Sequence, residues 1–176
     1  MRRMSAVFLL FAMLCLCACD TGPGINLRLF CERYNQASQG RARLDPAQFA
    51  AQPTDSGEKY GAYVALSEYI ACEALPNGRI HTVTLTGLPE TQQKDFYAAA
   101  LRLAQAFAGL PVDQAERALQ EIHTGLLPVL GLRTIETEGY RFSYAANEAG
   151  RYFRASRVRD LPPAPEPATL REPITE

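Results

Sequence analysis

Five cysteines and two histidines are the residues of this 176-residue chain best suited to covalent or metal chemistry. Cys15, Cys17 and Cys19 crowd together near the N-terminus, whereas Cys31 and Cys72 stand apart. His81 and His123 are the only histidines, and neither has a cysteine or a second histidine at metal-ligand spacing. The sequence therefore predicts no metal site. Gly-rich phosphate loops and the glycine pattern of a nucleophile elbow are also missing from it. Chemistry is expected only where the cysteines are.

The chain opens with Met1-Arg2-Arg3-Met4, a positively charged start, and residues 6–16 form an apolar run of the length of a signal-peptide hydrophobic region. A membrane-spanning helix needs about twenty apolar residues. Asp20-Thr21-Gly22-Pro23-Gly24 ends the run with a charge and helix breakers. Leu16-Cys17-Ala18-Cys19 resembles the lipobox of bacterial lipoproteins, with a branched apolar residue at −3, small residues before the cut and a cysteine at +1. Cys17 departs from the serine, threonine or alanine usual at −2. The resemblance covers the export segment alone. It implies that residues 1–18 are removed, that the Cys19 thiol carries diacylglycerol, and that its freed amine is acylated. Because each buried methylene contributes about 0.8 kcal/mol, two chains suffice for stable anchoring. Asp20 resembles the signal that retains such proteins at the inner membrane, the outer membrane being the alternative. The expected location is the bacterial cell envelope, facing the periplasm, with no cofactor beyond the lipid on Cys19.

With the export segment and Cys19 assigned, Cys31 and Cys72 are the remaining thiols, and two in an oxidising compartment predict a disulfide. Leu27, Phe30, Cys31 and Tyr34 fall on one face of a helix that Asn26 can cap. Cys72 shares its strand parity with Val64, Leu66 and Ile70. A bridge between these inward positions closes a loop worth about 4 kcal/mol by loop-entropy reasoning. Two inert buried thiols are the alternative.

The elements that position these residues follow from the hydrophobic pattern. Residues 38–59 read as an irregular connection with one short helical turn at Asp45-Pro46. Residues 60–75 alternate as one strand, Tyr63 and Tyr69 on its polar side, and Pro76-Asn77-Gly78 turns the chain into a strand over residues 80–86. A helix starts at Thr91 and ends at Gly109, a second carries a capping box at Asp113 and Glu116 and stops at Gly125 and Pro128, and a last hairpin pairs Tyr140, Phe142 and Tyr144 with residues 151–158. The prediction is an α+β two-layer sandwich of order α-β-β-α-α-β-β, an antiparallel sheet of four or five strands with helices on one face. Residues 19–25 form a short tether, 26–160 one globular domain and 161–176 a Pro-rich disordered tail.

Without Arg2 and Arg3 the chain holds 16 basic against 19 acidic side chains, which argues against nucleic acid as a partner. Tyr63 and Tyr69, with Arg141, Arg151, Arg154 and Arg157, form the expected interaction surface, since tyrosine and arginine suit interfaces. These features predict a noncatalytic envelope module that binds a protein partner, its oligomeric state open. The competing readings are a periplasmic hydrolase whose site assembles from distant residues, and a small carrier of apolar ligands. If Cys19 carries the anchor, Cys19→Ser leaves the chain at its precursor mass in the membrane fraction, whereas a variant processed like its parent contradicts the assignment; intact-mass spectrometry separates the two.

Overall fold

The computed structural model describes residues 25–65, 67–124 and 132–161. Cys19, Asp20, Gly125, Pro128 and residues 162–176 lie outside them. Strand β1 (Ile25–Asn26) leads into helix α1 (Leu27–Ser38), strands β2 (Ala50–Thr54), β3 (Gly57–Ala65), β4 (Glu68–Ala74) and β5 (Arg79–Gly87), helices α2 (Gln93–Ala108) and α3 (Val112–Thr124), and strands β6 (Leu132–Thr137), β7 (Tyr140–Asn147) and β8 (Gly150–Arg157). All pairings are antiparallel, in the order β2-β3-β4-β5-β8-β7-β6, with β1 pairing the start of β5. Two meanders thus meet at the β5–β8 seam.

The mixed α+β class and the antiparallel sheet agree with expectation, but the sheet has eight strands rather than four or five and the order differs. Each correction has a local cause. β2 lies in the stretch read as irregular because every one of its residues is exposed, so no alternation marks it. The run read as a single strand over residues 60–75 is the β3–β4 hairpin, whose turn has neither glycine nor proline to announce it. β6 carries no sequence alternation, because its two apolar residues, Leu132 and Ile135, are three apart and fall on opposite faces. α2 begins at Gln93, since the Thr91 hydroxyl donates instead to the Ser67 carbonyl at 2.9 Å. α3 begins at Val112, which puts Asp113 inside the first turn, where it accepts from Arg117 at 2.7 Å rather than capping the helix.

Other local signals act as their chemistry dictates. The Asn26 side chain accepts from the Leu29 amide at 2.8 Å and caps α1. Gly78, at φ +75°, closes the β4–β5 turn with its amide on the Leu75 carbonyl. Gly109, at φ +68°, ends α2 with its amide on the Gln105 carbonyl.

The core lies between one sheet face and the helices. Tyr60, Ala62, Ile70, Cys72, Val83, Leu85, Phe153, Ala155, Phe142 and Tyr144 line the sheet side, and Phe30, Tyr34, Phe96, Leu103, Phe107, Leu119 and Ile122 line the helix side. α2 packs over β5 and β8 between α1 and α3, and α3 covers β6 and β7. Four of its alanines, Ala99, Ala100, Ala104 and Ala106, are buried, which brings these neighbours close. Phe142 and Phe153 stack at 6.0 Å between ring centroids. Truncating this fully buried ring should be costly: Phe142→Ala is expected to lose about 3–5 kcal/mol in urea denaturation, whereas Tyr63→Ala, on the exposed face, should change stability by at most about 0.5 kcal/mol.

Candidate functional site

Because all three helices pack on one face, strand alternation carries the other side chains onto an open face. Register aligns Tyr63 with Tyr69, Tyr69 with Thr86, Thr86 with Tyr152, Tyr152 with Ala145 and Ala145 with Leu132. One row therefore crosses six strands, about 24 Å at ordinary strand spacing. Its ends are the most exposed large hydrophobics of the described residues, Tyr63 at 71% and Leu132 at 57%. Tyr69 meets Tyr63 edge-on, with ring centroids 5.1 Å apart. Its ring also lies over Gly61, where an added Cβ would fall 1.6 Å from the Tyr69 hydroxyl oxygen. A glycine on β3 thus holds the tyrosine flat against the sheet.

The rows beside this ledge are polar and pair across strands, with the Arg154 Nε left buried without a hydrogen-bond partner. Arg154 reaches across β5 to Glu73 at 3.2 Å, over Thr82, which has no exposed surface and donates to the Ser156 hydroxyl at 3.1 Å. Arg141 pairs with Glu136 at 2.6 Å, and the Thr134 and Ser143 hydroxyls are 2.9 Å apart. Arg141 and Arg154 are thus paired within the face, and the row from Tyr63 to Leu132 carries no charge of its own.

Of the six residues singled out for interaction, Tyr63, Tyr69, Arg141 and Arg154 share this open face. Arg151 and Arg157 alternate with Arg154 and fall on the helix side, where Arg151 donates to the Thr91 carbonyl. Tyr152 and Leu132 complete the row. Tyr152 was legible from its place opposite Phe153, but Leu132 required β6 to be recognised as a strand.

Neither histidine gathers catalytic partners. His81 sits in the irregularity of β5, its Nδ1 3.1 Å from the Thr82 hydroxyl. The His123 Nε2 is 2.6 Å from the Gln93 amide, and its ring packs against Tyr97 and Tyr144 at 6.0 and 5.7 Å. The apolar cleft beneath it, bounded by Phe96, Leu119, Ile122 and Phe153, narrows to about 10 Å³, room for about one water. Among the described residues, no group of three or more His, Cys, Asp or Glu side chains is placed to hold a metal ion, and no helix is long and apolar enough to cross a membrane.

Cys31 and Cys72 are buried thiols in one core cluster. Burial, followed by the nearby Asp45 and Glu32, pushes the Cys31 thiol up to about 12. Cys72 is raised well above its ordinary value by burial, then by Cys31 and Glu73. As the thiolate is the attacking species in disulfide exchange, both are poor nucleophiles in the folded chain.

A buried polar cluster separates α1, α2 and β4. The Arg102 guanidinium stands 5.8 Å from the centre of the Tyr34 ring, and the Tyr34 hydroxyl and Arg102 Nε are buried without a hydrogen-bond partner. Burial raises Tyr34 despite Arg102. Glu68, 7% exposed, is raised by burial against the opposing pull of Arg102, with Asp95 adding to the rise.

Comparison with protein families, curated proteins and solved structures finds no match for this chain.

The Glu68 shift fixes a sign. Its folded value lies above the ordinary 4.5, so its contribution to stability is complete below that value and is lost as pH rises through the raised one. Glu68→Gln is therefore expected to stabilise the protein at pH 7 and to reduce the relative gain on going to pH 4. Urea midpoints at the two pH values measure both effects.

Proposed function

We propose that this chain is a noncatalytic, lipid-anchored module of the bacterial envelope, held through Cys19 and facing the periplasm, that binds a protein partner on its open sheet face. The observation that carries this reading is the apolar row from Tyr63 to Leu132, exposed beside rows in which Arg141 and Arg154 are already paired. Apolar surface rimmed by polar groups is the composition of an interface centre and its rim. The lipobox supplies the anchor and Asp20 favours the inner membrane; Cys31 and Cys72, free thiols in this structure, carry no part of the reading.

The direction of β5 adds to this reading. The chain enters the sheet at Ile25, which pairs with Ile80, while the row crosses the same strand at Thr86. Six residues of strand separate the two points by about 20 Å. An anchor attached ahead of Ile25 would leave the ledge at the other end of β5, open to a partner from the periplasmic side. The hydrolase and carrier readings have weaker support: the apolar cleft beneath His123 admits about one water, and the open depression above it is lined by Gln93, Lys94, Tyr97 and Gln120, without a carboxylate.

A photo-crosslinking residue placed at Tyr63 or Leu132 in intact cells should yield adducts with one common protein, and the same residue at Glu116 on α3 should not. Adducts absent from both row positions, or equal at all three, would overturn the proposal.

A further inference from the structure

The sheet has two outer edges, and they differ. β2 is short, exposed along its whole length and interrupted by Pro53, which has no amide hydrogen to offer a further strand. β6 is six residues long, contains no proline, and pairs only with β7 among the described residues. About half of its backbone N–H and C=O groups therefore face outward, with no strand among the described residues to receive them.

A groove runs beside this edge, between β6 and α3. Leu110, Ala118 and Ile135 form its apolar floor, and Gln114, Arg117, Glu121, Thr137 and Glu138 its polar lining. Strand alternation puts Ile135 on the helix side, so every second side chain of an added strand would enter the same groove. Its charge is one-sided. Arg117 is already taken by Asp113 at 2.7 Å, whereas Glu121 and Glu138 have no ion pair among the described residues.

We propose that the outer edge of β6 binds an extended, basic peptide segment of a partner protein as an added strand. Its backbone pairs with β6, its alternate side chains lie over Leu110, Ala118 and Ile135, and its lysines or arginines meet Glu121 and Glu138. Main-chain pairing supplies affinity in this mode, and the groove supplies selectivity. This surface uses the outer backbone edge and the helix side of β6, whereas the row presents Leu132 of the same strand on the open face.

A synthetic decapeptide of alternating valine and lysine, added to the full chain as the cell produces it, tests the idea. Hydrogen exchange should show unprotected β6 amides in the free protein and slowed exchange there with peptide. N-methylation at alternate peptide residues should abolish binding in one phase and preserve it in the other. Combining Glu121→Lys with Glu138→Lys should weaken binding about tenfold at low salt while leaving the thermal midpoint unchanged. The proposal is overturned if β6 is already protected in the free chain, if the free chain dimerises with β6 protected, if protection appears elsewhere, or if neither methylation phase matters.

Discussion

The close approach of α2 to the β5–β8 seam governs the rest of the molecule. Gly87 permits it at one end, where an added Cβ would lie 2.7 Å from the Phe96 ring, and the buried alanines permit it along the helix. With α2 so close, α1 and α3 can flank it and complete one layer over the sheet. Burying a phenylalanine contributes roughly 1.5–3 kcal/mol, and Phe96, Phe107, Phe142 and Phe153 all meet in this layer. The helices are thereby spent on a single face. The opposite face has to reach stability and solubility with its own side chains.

It does so unevenly. Across the middle of the sheet, hydroxyls bond one another and carboxylates neutralise arginines, including the Arg154–Glu73 contact that roofs Thr82. Partly exposed pairs of this kind add little to stability. Their effect is to remove unmatched charge from the surface. Along the row from Tyr63 to Leu132 no such matching exists, and Tyr69 is pressed flat over Gly61 instead of standing into solvent. A face that neutralises its charges and leaves a ledge of rings selects for shape and apolar area over electrostatic attraction.

The buried half of this architecture was legible in the sequence, and the exposed half was not. The 3.6-residue spacing of Phe96, Ala100, Leu103 and Phe107 marked α2, and Asn26 and Gly109 marked helix ends, because burial and capping leave residue-type signatures. Side-chain parity survived even where the strand count failed: Tyr60 and Cys72 point inward and Tyr63 and Tyr69 outward, because the β3–β4 turn leaves the alternation in phase. Tyr63 and Tyr69, neighbours on one supposed strand, are in fact cross-strand partners. The two edges stayed hidden for a physical reason. Ala50-Ala51-Gln52-Pro53-Thr54 buries no face and so writes no period, and Leu132 and Ile135, three residues apart, make no alternation to announce β6. The polar cluster of Tyr34, Glu68 and Arg102 joins three separate elements, and no local spacing brings such residues together.

The strand order carries a consequence for assembly. β2 to β5 form one uninterrupted meander and β6 to β8 another, and among the described residues the only strand pairing between them joins β5 to β8 across two helices and a long stretch of chain. A chain that emerges N-terminus first completes the first meander while Val83 and Leu85 still sit on a raw border strand, paired with β4 on one side and open on the other until residues 151–156 arrive. For that interval the strand destined for the centre of the molecule is its stickiest rim, and the hazard of misassociation ends only when the last hairpin closes over it.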